Sequence, residues 1–295
     1  MRVLLGIAAH NEEKNIGDLL SFLIKENCGD EIVVVSSSAD RTNSIVEGYA
    51  KDKESRIRLI VESERAGKSS ACNGIIEYAE TGDFDVIVSL GGDNLPLSGS
   101  IEALLSGFEN DIIGVVGGKP EPVDDQETFL GWATHLQWNM HHAICSTYEP
   151  KVSGELMAFR RGVVREIPKT IVNDDAYIQL IGWTKGYESR YAPAAKVKLK
   201  GCSSAREFVA QRRRVYLGHL QLLFLTGRKV GTFKWRVYPK ALRKSLPSWG
   251  LKELCYLLGA VILQMWAYLL AVADLHLFRL PYKWEIERTT KAPLS

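Results

Sequence analysis

Val3-Leu4-Leu5-Gly6-Ile7-Ala8-Ala9-His10-Asn11-Glu12-Glu13 passes from an apolar run of strand length straight into an imidazole, an amide and two carboxylates. The apolar part is too short for a secretory signal and reads as the first strand of a cytosolic domain. Similar runs, rich in Val and Ile, recur at residues 31–35, 57–61, 85–90 and 112–116. Between them lie helix-like stretches at 12–25, 41–51, 68–79 and 100–108. This alternation predicts an α/β fold with a mostly parallel sheet flanked by helices. Ligands of such sheets bind beyond the carboxyl ends of the strands. The polar residues collect at those ends: 10–13 after the first strand, 36–40 after the second and 91–94 after the fourth.

Composition narrows the function classes. The chain of 295 residues is 46% hydrophobic, enough for a packed core. Its 37 basic and 35 acidic side chains nearly cancel, so no global field recruits nucleic acid. The five cysteines stand singly, without the close pairs of zinc or redox motifs, which fits a reducing compartment.

Several segments carry candidate chemistry. Asp93 follows a strand and two glycines, where the main chain can approach a ligand and one carboxylate can hold Mg2+ or Mn2+ together with substrate phosphates. Asp174 and Asp175 stand where a helix opens, so one can cap it while its neighbour projects as a general base. Gln211, Arg212, Arg213 and Arg214 form a basic cluster ahead of a Leu-rich stretch, placed to meet diphosphate or anionic headgroups. Gly67-Lys68-Ser69 is not a P-loop, because Glu62 occupies the position of its first glycine. His135, His141 and His142 sit in an amphipathic stretch from Gln126 without a carboxylate or cysteine at ligand spacing, so that stretch reads as an acceptor-side helix rather than a metal site.

A boundary follows Pro247, Ser248, Trp249 and Gly250. Residues 254–273 are then almost wholly apolar, about the twenty needed to cross a bilayer, with Gln264 as the polar exception. Arg236, Lys240, Arg243, Lys244 and Lys252 precede the segment and Arg279, Lys283, Arg288 and Lys291 follow it. Basic flanks of this kind predict membrane association with a cytoplasmic catalytic domain. The expected division is a catalytic domain at 1–202, an interface region at 203–250 and a membrane-associated segment with a basic tail at 251–295.

Taken in order, these segments resemble family 2 glycosyltransferases of the GT-A fold, in particular the membrane-associated relatives of cellulose and hyaluronan synthases. Ala9-His10-Asn11-Glu12-Glu13 looks like the opening segment of that family, and Ser36-Ser37-Ser38-Ala39-Asp40 like its nucleoside-facing loop. Arg65-Ala66-Gly67-Lys68 before Ala71-Cys72-Asn73-Gly74 is similar to its Gly-Lys segment. The Asp-x-Asp metal motif appears as Gly91-Gly92-Asp93, with the last carboxylate alone, and Val215 replaces tryptophan in the Gln-x-x-Arg-Trp motif. The resemblance implies donor contacts from Ala9, Asn11, Glu12, Ser36, Asp40, Lys68 and Asp93, with the metal on Asp93. It implies an acceptor and diphosphate side of Gly154, Glu155, Gln211, Arg213 and Arg214, and Asp175 as base with Asp174 as runner-up. The expected activity is inverting transfer from a nucleotide-diphosphate sugar to a lipid-linked or other membrane-proximal acceptor, with a divalent cation and without nucleic acid. Because Val215 offers no aromatic face and one span makes no polymer channel, the expected transfer is non-processive. A sugar nucleotidyltransferase and a non-catalytic, membrane-tethered sugar-nucleotide binding protein are the competing readings.

Overall fold

A computed structural model describes residues 1–51, 55–246, 250–277 and 289–294. In it, β1 (Val3–Ala9), β2 (Glu31–Ser36), β3 (Ile57–Val61) and β4 (Val86–Gly91) run parallel, with β1 between β2 and β4. Central position explains the unbroken apolar run of β1: Leu5 and Ile7 pack under α1 (Ile16–Glu26) and α2 (Thr42–Ala50), and Leu4 packs under α3 (Lys68–Thr81). The strands fall where the apolar runs predict them. Helix α1 opens later than expected, since Asn11 turns with φ 56° and Thr42 Oγ1 holds the Glu12 nitrogen at 2.7 Å, so 11–15 is a loop.

The chain continues through β5 (Leu95–Pro96), α4 (Ser100–Leu105), β6 (Ile113–Pro122), α5 (Phe129–Thr147), β7 (Leu156–Arg160), α6 (Asp174–Thr184) and β8 (Glu188–Leu199). Strand β7 enters antiparallel between β4 and β6, and the eight-stranded sheet has the order β3-β2-β1-β4-β7-β6-β8-β5. Inserting β7 beside β4 brings the segment before it, 151–155, alongside the polar turn that follows β4.

Three α-helices follow, α7 (Ala205–Thr226), α8 (Tyr238–Ser245) and α9 (Leu251–His276), with short 3-10 turns at Gly231–Phe233, Trp235–Val237 and Thr289–Lys291. Ser204 caps α7, its hydroxyl accepting from the Glu207 nitrogen at 3.2 Å. Helix α9 lies along α7 with Ala260, Ala267 and Ala271 buried, small side chains that let the helices approach. Its polar residues face the same way. Gln264 accepts from Arg212 Nε at 3.0 Å and Tyr216 Oη at 2.7 Å, and Asp274 accepts from Arg213 Nε at 2.5 Å and Nη2 at 2.6 Å. The other face carries exposed Leu258, Val261, Ile262, Met265, Trp266 and Leu269. The boundary residues Pro247, Ser248 and Trp249, and the basic Arg279, Lys283 and Arg288, lie outside the described residues.

Candidate active site

The carboxyl ends of β1, β2 and β4 point one way, so the loops after them meet on one side of the sheet. Loops one and two are tied together. Asn11 Oδ1 accepts from the Ala39 nitrogen at 2.9 Å, and the Ser38 hydroxyl accepts from the Asn11 nitrogen and meets the Ser36 hydroxyl, both at 2.8 Å. Asp40 accepts from the nitrogens of Thr42 at 2.9 Å and Glu13 at 3.2 Å. Against the effect of burial, the Thr42 hydroxyl, which also donates to it, and then those two nitrogens hold the Asp40 carboxyl below its ordinary range. Asn11 and Asp40 therefore form the open edge of one continuous lip, with Ala9, Glu12 and Ser36 buried beneath it.

Two ion pairs stand beside this lip. Gly67, at φ 93°, starts α3 so that Lys68 is its first residue, and Lys68 Nζ lies 3.3 Å from Asp174 Oδ2. Lys151 Nζ donates to Asp175 Oδ2 at 2.8 Å, and the Gly154 nitrogen donates to the same oxygen at 3.1 Å. The other oxygen, Oδ1, accepts from the Ala176 nitrogen at 2.7 Å. Burial alone raises a carboxyl pKa, but the Lys151 ammonium overrides it, with Lys68 adding to the effect, and Asp175 is held well below the usual carboxylate range. Asp175 is thus an anion at any physiological pH. Its histidine neighbours are neutral: burial, reinforced by Lys151, lowers His141 and His219 to about 3.

Gly154 joins the two pairs. A Cβ there would lie 2.8 Å from Lys68 Nζ, the far end of a flexible side chain, and in ordinary contact at 3.6 Å with Asp175 Cβ, so a side chain at 154 would press on Lys68 and leave Asp175 in place. The acid pair does not cap α6 as the sequence allowed. Asn173 occupies the cap position and sends its side chain to the Val215 carbonyl at 3.0 Å, which leaves both aspartates in the first turn, where the helix dipole favours anions.

Asp93 follows β4, and Asn94 Nδ2 donates to Glu155 Oε2 at 2.9 Å and to the Glu155 carbonyl at 3.1 Å. Burial and then the Asp93 carboxylate push the Glu155 carboxyl above its ordinary range. Two neighbouring carboxylates, all oxygen donors, suit a hard divalent cation, so the residues fit the expected group. Among the described residues no three His, Cys, Asp or Glu side chains cluster as ligands. The three histidines of α5 are engaged elsewhere: His135 with the Asp124 carbonyl, His141 with the Lys151 carbonyl and His142 with Tyr191 Oη.

Lys68, Asp174, Asp175 and Gly154 are thus brought together, with Asp93 and Glu155 beside them. Gln211 and Arg214 lie on α7 one turn before Val215 and Gly218, the residues that meet Asn173. Arg213 stands apart, bound to Asp274 of α9. Lys151 carried no motif, and nothing in its local sequence marks it as the partner of a carboxylate 24 residues on. Of the tryptophans, Trp132 packs against Tyr256 and Trp138 against His141, whereas Trp183, at the far end of α6, lines a cavity of about 550 Å³ with Pro150, Tyr187 and Arg228.

The sequence profile of glycosyl transferase family 2 matches residues 5–168, more than half of the chain. No curated protein matches it. Among solved structures, the mannosyltransferase PcManGT from Pyrobaculum calidifontis, in complex with GDP-Man and Mn2+, superposes with a TM-score of 0.65 at 20% identity, over 92% of this chain and 86% of that one. Glucosyl-3-phosphoglycerate synthase from Mycobacterium tuberculosis, in complex with Mn2+, UDP-glucose and phosphoglyceric acid, gives 0.53 at 14%, over 77% and 80%. TarS from S. aureus gives 0.51 at 16%, over 88% of this chain and 48% of that one. At such identities the likeness is one of fold.

Proposed function

The chain belongs to glycosyl transferase family 2, is a glycosyltransferase of the GT-A fold, and from that premise we propose that it transfers a sugar from a nucleotide-diphosphate donor to a membrane-proximal acceptor with inversion. The observation that carries the proposal is the pairing of Lys68 with Asp174 and Lys151 with Asp175 around Gly154, beside the strand-end loops. The lip of Ala9, Asn11, Glu12, Ser36 and Asp40 takes the nucleotide, and Lys68 faces its diphosphate. Asp93, with Glu155 beside it, holds Mg2+ or Mn2+, which when bound neutralises charge on the departing diphosphate.

Asp175, ionised and fixed by three donors, accepts the proton of the acceptor hydroxyl. The hydroxyl oxygen forms its bond to the anomeric carbon as the bond from that carbon to the diphosphate oxygen breaks, and the electron pair leaves with the diphosphate. No sugar is bonded to the protein. Incubation with a panel of nucleotide sugars and membrane lipid extract should release a nucleoside diphosphate only when acceptor is present. Formation of nucleoside triphosphate and sugar 1-phosphate when pyrophosphate is added would point to the nucleotidyltransferase, and binding without release to the non-catalytic binder.

The membrane part of the proposal rests on α9, whose 26 residues have a mean hydropathy of 1.9 in their most apolar window and whose outward face is unpacked. The protein is expected to sediment with membranes and to stay there in high salt, because salt screens charge attraction and leaves apolar insertion intact. Complete release by salt alone would show that α9 is not inserted.

Val215 supports transfer of one sugar or very few. It offers no flat face for stacking an acceptor ring, and its carbonyl is occupied by Asn173. With excess donor, mass spectrometry should find products one or two sugars heavier than the acceptor. A long ladder on a single acceptor would contradict this.

A further inference from the structure

The C-terminal segment returns to the opposite end of the sequence. Lys291 Nζ donates to the His10 carbonyl at 2.7 Å and pairs with Glu12 Oε1, while the Lys291 carbonyl accepts from Asn15 Nδ2 at 3.2 Å. Two residues earlier, the Thr289 hydroxyl donates to Glu207 and accepts from the Ser203 nitrogen at 3.0 Å, at the start of α7. Thr290 between them is buried. Residues 289–291 are therefore fastened on one side to the loop after β1 and on the other to the first turn of α7.

The carboxylate that Lys291 meets is enclosed. Glu12 is 3% exposed, and its stem runs beneath Gly92, where a Cβ would fall 2.8 Å from Glu12 Cγ. Asp93 is the next residue. An uncompensated anion in that place is costly to bury, and its field opposes a diphosphate arriving over the same turn. Among the described residues, Lys291 is the cation paired with Glu12. The basic tail that the sequence assigned to the membrane flank thus places one of its lysines at the donor lip.

We propose that Lys291 is a donor-side positioning residue, which neutralises Glu12 and tethers the His10 carbonyl so that loop 10–15 rests against the Gly92–Asp93 turn in the form that admits a nucleoside diphosphate. This rests on reading residues 9–12 as donor-binding. The ammonium acts through Glu12 and the main chain and touches no reacting atom. Its position also makes the donor lip depend on chain that follows α9.

Calorimetric titration of the full chain with GDP and with UDP, each with Mn2+, tests the proposal on the parent, Lys291→Met and Lys291→Arg. The nucleotide that binds the parent is expected to bind Lys291→Met roughly tenfold more weakly, the scale of one charge-assisted hydrogen bond, with Lys291→Arg recovering most of the loss. The donor KM should rise by a similar factor with the acceptor KM unchanged, and amides of residues 10–15 should exchange faster while those of β1 do not. If Lys291→Met fails to fold, Lys291→Gln takes its place: it keeps a donor for the His10 carbonyl but leaves Glu12 without its cation, so nucleotide binding is still expected to weaken, and affinity equal to the parent still overturns the role. Equal nucleotide affinity in parent and variant overturns the role of Lys291 alone. Binding of neither nucleotide by the parent overturns the donor reading of residues 9–12 and this role with it.

Discussion

Asp175→Asn is expected to lower sugar transfer by about 10²–10⁴-fold, the range supplied by a positioned general base, while leaving nucleotide binding close to the parent. The amide keeps an oxygen for the Lys151 ammonium and the Gly154 nitrogen but cannot take a proton. Single-turnover kinetics alongside nucleotide titration separates the two effects, and a variant that turns over at the parental rate would remove Asp175 from the role of base.

Lys151→Met gives the companion result in pH. The Asp175 carboxyl is depressed in the folded protein, so its ion pair stabilises the fold above the unfolded pKa of about 3.9 and loses that contribution as pH falls through the folded value. The parent should therefore show no acid limb from Asp175 while it remains folded. Without the Lys151 ammonium, burial is less opposed and the limb should move to higher pH in the kcat/KM profile. The variant should also lose about 3–5 kcal/mol of stability, because Lys151 is buried, the Asp175 side chain is only 15% exposed, and one charge is left without the other. A profile superimposable on that of the parent would show that Lys151 does not set the state of Asp175.

Asp93→Asn is expected to act on binding rather than on the chemical step. Loss of a partner that merely orients a metal ligand weakens metal affinity by about 10–100-fold, and loss of the ligating carboxylate itself should exceed that. Nucleotide affinity measured with and without Mn2+ should therefore be metal-dependent in the parent and nearly metal-independent in the variant. Mn2+ with nucleotide should raise the melting temperature of the parent only, since only its folded state binds them tightly. Unchanged, metal-dependent nucleotide affinity in Asp93→Asn would remove Asp93 from the metal site. Glu155→Gln is the useful comparison, because Asn94 holds that side chain and burial, then the Asp93 carboxylate, push its pKa up.

Much of this architecture is legible in the amino-acid sequence. Apolar runs of strand length separated by helical stretches determined the parallel half of the sheet, because burial on both faces demands continuous apolar sequence and a parallel connection demands a crossover. The same runs located the strand ends, and so the loops of Asn11 and Asp93 and the last residue of β2, Ser36. Asp174 and Asp175 read correctly as the opening of a helix. The apolar length of α9 was equally plain, since composition alone sets it.

What tertiary structure decided was which charges meet. Lys151 reaches Asp175 because β7 inserts antiparallel beside β4 and carries the segment before it to the first turn of α6. Arg213, placed by its motif on the diphosphate side, turns to Asp274 because α9 lies along α7. Lys291, a tail residue in the sequence, pairs with Glu12 across a separation of 279 residues. Hydrophobic periodicity is a local property of the chain and specifies elements, but an ion pair depends on the packing of elements distant in sequence. Its energy is fixed by the burial and the neighbours that only the folded chain supplies.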